Sequence, residues 1–158
     1  MSLHFPNPVT ASNVGGCKKF SFANVEDLIH ITYKANLLTI SDVFLTMGKS
    51  FYDGYATYST LLYEEKMQKN ANGVSFLAKI SGFYPNLSNI AILRFSELSN
   101  LDLIVKITDN NNRTWLVGNK ETPLKFTFDN ASGRSPSARS GLNFEFSGQL
   151  LRPSPLFA

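Results

Sequence analysis

The stretch Gly141-Leu-Asn-Phe-Glu-Phe-Ser-Gly148 alternates Leu142, Phe144 and Phe146 with Asn143, Glu145 and Ser147. That period of two marks a strand with one buried face. Pro123-Leu-Lys-Phe-Thr-Phe-Asp129 repeats the pattern, setting Phe126 and Phe128 against Lys125, Thr127 and Asp129. Further upstream, Leu103, Val105 and Ile107 alternate with Lys106 and Thr108 and lead into Asp109-Asn-Asn-Asn112, then Arg113-Thr-Trp-Leu-Val117. Asn and Asp tolerate positive φ and bond their own backbone, so this run predicts a hairpin turn between two strands.

The same alternation places strands at Phe20 and Phe22, and at Ile29, Ile31 and Tyr33, with Asn24 capping one helical turn between them. A strand is also expected within residues 36–49. The Tyr- and Thr-rich residues 51–63, the polar Glu64 to Asn72 with Gly73, and Val74 to Ile80 read as a long hairpin with a projecting polar tip. One helix is predicted over 87–99, capped by Ser88 or Asn86, with Leu87, Ala91, Phe95 and Leu98 on one face. Strands without alternating helices exclude a parallel α/β fold. The expectation is a mainly β chain: an antiparallel β-barrel or sandwich with one flanking α-helix.

With 158 residues, the chain is long enough for one domain and a sizeable core. Residues 15–149 are expected to form it, preceded by an extended N-terminal arm over 1–14 and followed by an extended apolar tail over 150–158. That tail carries two prolines, which argue against a central strand, and its apolar end is expected to need a partner surface. Met1 to Pro8 has neither the basic nor the apolar region of a secretion signal, and no apolar run reaches membrane-spanning length.

Chemistry is sparse. The single cysteine, Cys17, excludes a disulfide framework and a multi-thiolate zinc site, and His4 and His30 lie in no nucleophile or metal motif. Glu64-Glu65 and Glu26-Asp27 read as solvated rims, and Asp109 to Asn112 lacks the Gly and distant Glu of a calcium loop. Arg134 and Arg139 in the Gly/Ser/Pro loop could contact phosphates, but the structural reading is preferred for them. The net charge of +3, with scattered lysines, gives no nucleic-acid footprint by itself. No enzyme, no cofactor and no metal site are expected.

Several segments together resemble small virion structural proteins of tailed phages and prophages of Bacteroidetes-type hosts, of the tail-tube or neck-ring kind. They are the Gly15-Gly16 step, GYATYSTLLYEE at 54–65, LIVKITDNNNRTWLVG at 103–118, PLKFTFDNASG at 123–133 and RSGLNFEFSGQ at 139–149. The resemblance implies a self-associating subunit, forming hexameric or dodecameric rings that make a tube or joint for DNA passage. Its partners would be copies of itself, other tail or neck proteins and transient DNA in the lumen, with no membrane. The location it implies is the virion, after synthesis in the host cytoplasm without a signal peptide. Interface residues expected on this reading are Phe5, Tyr55, Tyr58, Glu64, Glu65, Lys66, Arg134, Arg139, Leu156 and Phe157. Tube lumens are commonly acidic. Here Arg113, Lys120, Lys125, Arg134, Arg139 and Arg152 outnumber Glu121, Asp129 and Glu145, which favours a neck, ring or terminator role. The alternatives are a β-barrel module binding a glycan or small ligand, with a pocket near Trp115 and Tyr55/Tyr58, and an OB-like single-strand nucleic-acid binder.

Overall fold

The computed structural model describes residues 15–131 and 139–158. The expected arm over 1–14, with Phe5, and the part of the loop that carries Arg134 lie outside the described residues. Strand β1 spans Cys17–Asn24, and Asn24 then caps a 3-10 turn, its side chain accepting from the Glu26 amide at 3.0 Å. β2 (Leu28–Tyr33) and β3 (Thr39–Leu45) form a hairpin. β4 is only Tyr52–Asp53, and β5 (Leu62–Asn70) and β6 (Gly73–Tyr84) make the long hairpin. Helix α1 (Asn89–Ser99) follows, capped by the Ser88 hydroxyl on the Ala91 amide, and then β7 (Asp102–Asp109), β8 (Thr114–Val117), β9 (Leu124–Ala131), β10 (Gly141–Leu150) and β11 (Leu156–Phe157).

The described residues are thus mainly β with one α-helix, and their strands form one open, mixed sheet in the order β2-β3-β11-β8-β7-β9-β10-β6-β5, with β1 and β4 joined to it through β7. β7 decides this shape. One of its edges pairs with β1 along nearly the whole strand. The other is shared, with Val105 to Thr108 on β8 and Asp102 and Leu103 on β9. The sheet therefore forks at β7 into two branches that end at β2 and β5, and of the barrel or sandwich expected, a closed barrel does not form. Because β7 is covered on both sides, it reads as a nearly unbroken apolar run. Leu103, Val105 and Ile107 enter a core cluster with Phe20, Phe126, Phe144 and Phe146, whereas Ile104 joins a second cluster with Ala23, Leu28, Ile40 and Leu116.

Three expectations change. In β2, Ile29 is 61% exposed while Leu28 and Ile31 are buried. The register shifts between Leu28 and His30, so Ile29 is the extra residue of a bulge and faces out. The Tyr- and Thr-rich 54–61 is not strand. Thr57 and Thr60 close a turn on one another, the Thr57 amide donating to the Phe83 carbonyl and the Thr60 hydroxyl accepting from the Phe83 amide, which ties the segment to β6 without a ladder. The polar residues 64–70 are themselves the strand, because β6 offers them a paired edge. Gly54 donates its amide to Phe20 and lies so close that a Cβ there would sit 2.0 Å from the ring. Gly54→Ala is expected to lower stability by about 1–3 kcal/mol, as overpacking does, read as a lower denaturant midpoint.

The C-terminal residues form no free tail. β11 lies between β3 and β8, parallel to the first and antiparallel to the second, with Leu156 donating to Leu38 and Ala158 to Ile40. Both prolines precede the strand, at 153 and 155, so neither removes a donor from its two residues, and the segment occupies a central position after all.

Candidate functional site

The described residues among those expected at an interface fall in four places. Tyr55 and Tyr58 stand on the turn segment after β4. Tyr58 is 94% exposed, while the Tyr55 ring sets edge-on to Tyr84 with centroids 6.3 Å apart. Glu64, Glu65 and Lys66 lie on β5, where strand alternation separates them. Glu65 faces the body and accepts from the Ser154 amide and hydroxyl at 3.0 and 2.8 Å, pinning the C-terminal segment. Glu64 and Lys66 are exposed on the outer face. Arg139 sits over the Phe83 ring at 4.3 Å, Leu156 is built into the sheet, and the Phe157 ring meets the Lys106 ammonium. The structure does not gather these residues into one patch.

Trp115 and Tyr55/Tyr58, expected around one pocket, are apart in their contacts. Trp115 packs on Tyr63 and lies under Arg113. Burial pushes the Tyr63 phenol well up, so it stays neutral. Burial likewise raises the Cys17 thiol and keeps it from being a reactive thiolate. Among the described residues, no group of three His, Cys, Asp or Glu side chains could hold a metal, and no helix is long and apolar enough to cross a membrane.

Two features stand out. The β5–β6 hairpin continues past the body to a turn at Ala71 and Asn72, and among the described residues β5 pairs only with β6, leaving its outer edge open. Residues of like register share a face, so Met67 and Val74 extend the body-facing side of the hairpin beyond the core, and both are exposed. The second feature is an aromatic groove of about 470 Å³ beneath α1, lined by Phe22, Tyr55, Tyr84 and Phe95 with core phenylalanines at its floor. Sequence patterning missed the groove because its wall joins a helix, a turn and a strand that are distant in the chain.

No protein-family model matches the chain, and neither a curated protein nor a solved structure gives a match. Its functional reading therefore rests on its own geometry and on the resemblance in its sequence.

Proposed function

We propose that this chain is a non-enzymatic structural subunit of a phage virion tail or neck, assembling with copies of itself into rings that form a tube or joint for DNA passage. The observation that carries the reading is the open outer edge of β5 with exposed Met67 and Val74 beside it. An unpaired edge invites a further strand, and exposed apolar side chains next to it favour burial by a partner. Among the described residues the far end of the same sheet, β2, also has an open outer edge, with Ile29 and Phe44 exposed nearby. Two unlike edges at opposite ends suit a head-to-tail contact, the kind that closes into a ring. Lys66 and Lys69 on the hairpin guard it against chance pairing, so a proper partner supplies countercharge. The two branches of the sheet are read as the faces of a sandwich, with hairpin and helix on its flanks.

Sedimentation from dilute to concentrated solution, with electron microscopy, tests this. The expected result is a concentration-dependent ring or tube. Met67→Lys combined with Val74→Lys should keep the protein monomeric while changing its unfolding free energy by no more than about 0.5 kcal/mol, as exposed substitutions do. A wild-type protein that stays monomeric at every concentration and shows no rings sinks the proposal. The groove beneath α1 favours a second reading, a module binding an apolar small ligand, which predicts a stable monomer and saturable uptake of a fluorescent apolar probe.

A further inference from the structure

Lys106 is the one charged interruption in the apolar run of β7, and the strand alternation turns it to the same face as Ile104 and Thr108. Pairing brings four more polar side chains to that face: Ser21 opposite Lys106, and Lys19 and Thr114 on either side of Thr108, with Asp53 opposite Ser21. On this face the second apolar cluster gives way to a concavity of about 540 Å³. Phe51 and Phe157, at the border of that cluster, hold the Lys106 ammonium between them, 4.9 Å from each ring centroid. A register shift between Cys17 and Lys19 leaves Lys18 unpaired in the ladder, and its ammonium donates to Asn112 at the rim. Lys18 and Lys19 thus both line the concavity.

The charges do not balance. Among the described residues three ammonium groups face one carboxylate, Asp53, and neither Lys19 nor Lys106 forms an ion pair. Thr108 and Thr114 bond each other at 2.8 Å, and whichever donates, the other's hydrogen remains for a ligand. The Ser21 hydroxyl adds a further donor. Burial first, and the Lys19 charge second, hold the Lys106 amine below its ordinary pKa, and a bound anion would favour its charged form against both.

We propose that this face of β1, β7 and β8 binds a dianionic phosphoryl group, as free phosphate or as an organic monoester. A phosphate carries a charge of about −1.5 to −2 and several strong acceptors. It therefore offsets the local excess of positive charge, where a single carboxylate leaves one ammonium unmatched. The ammonium groups and hydroxyls reach it from three strands, and the two rings fix Lys106 in advance.

The test is titration of the full chain with inorganic phosphate and with phenyl phosphate, followed by calorimetry and by the amide NMR shifts of Lys19, Thr108 and Thr114. Saturable binding in the range of about 1 mM is expected. Lys106→Met keeps an apolar stem between the rings and should weaken binding about tenfold or more. Lys19→Gln, which changes an exposed side chain, provides the same readout if the first variant folds poorly, and Asp53→Asn should tighten binding. Preference for phenyl phosphate assigns the site to an organic monoester, and preference for phosphate to the free ion. Absence of saturable shifts, binding unchanged in both lysine variants, or equally tight binding of a thymidine dinucleotide, which carries one phosphodiester charge, overturns the assignment.

Discussion

Phe146→Ala should lower the unfolding free energy by about 3–5 kcal/mol, the cost of removing a buried aromatic side chain and leaving a cavity. Phe146 is 1% exposed and its ring meets those of Phe20, Phe22, Phe126 and Phe144, with centroids between 4.9 and 6.1 Å. Those rings come from β1, β9 and β10, so the cavity would open between β1 and the β9–β10 pair. In a chain of this length the thermal midpoint should fall by roughly 10 °C. Phe146→Leu, which fills most of the space, should lose clearly less. Equal midpoints for wild type and Phe146→Ala would mean that this cluster is not the core of the fold.

Asp109→Ala should cost about 2–3 kcal/mol, because one carboxylate organises the whole β7–β8 turn. Its Oδ1 accepts from the Asn111 amide at 2.9 Å and the Arg113 amide at 2.8 Å, and its Oδ2 accepts from the Arg113 guanidinium at 2.8 Å. Burial alone raises the Asp109 pKa, but the hydrogen bonds from Arg113 and Asn111 outweigh it and hold the carboxyl below its ordinary value. A depressed folded-state pKa means stability that is fully present above the ordinary carboxylate pKa and is lost as pH falls through the lower, folded value. Asp109→Asn should therefore show a flatter dependence of stability on pH below about 5 than the wild type. Identical acid limbs for the two proteins would show that the charge contributes nothing there.

How legible the fold was depends on whether a segment's surroundings repeat its own pattern. β9, β10 and the β7–β8 hairpin follow the sequence directly, since alternating phenylalanines, the apolar run from Leu103 to Ile107 and the Asp109 turn act over a few residues. The Ser88 cap and the helix after it are equally local. Residues 54–61 have strand-forming composition but no edge to pair with, and Gly54 is drawn against Phe20 instead. Residues 64–70 look like a loop by composition, yet the edge of β6 makes them a strand. Of the expected interface residues, Glu64 and Lys66 are exposed on that hairpin, whereas Glu65 and Leu156 are engaged within the chain. Nothing in a single strand's pattern announces such a partner from the other end of the sequence.

By itself the sequence determined that the chain is mainly β, with a helix after Ser88 and a turn at Asp109, because propensity, capping and side-chain alternation act between near neighbours. Only the tertiary structure decided that the sheet forks at β7, that the last residues fill its middle, and that Lys19 and Lys106 share one face with Thr108 and Thr114. Those outcomes depend on which edges meet across long stretches of chain, and the same alternation is compatible with many pairings until packing selects one.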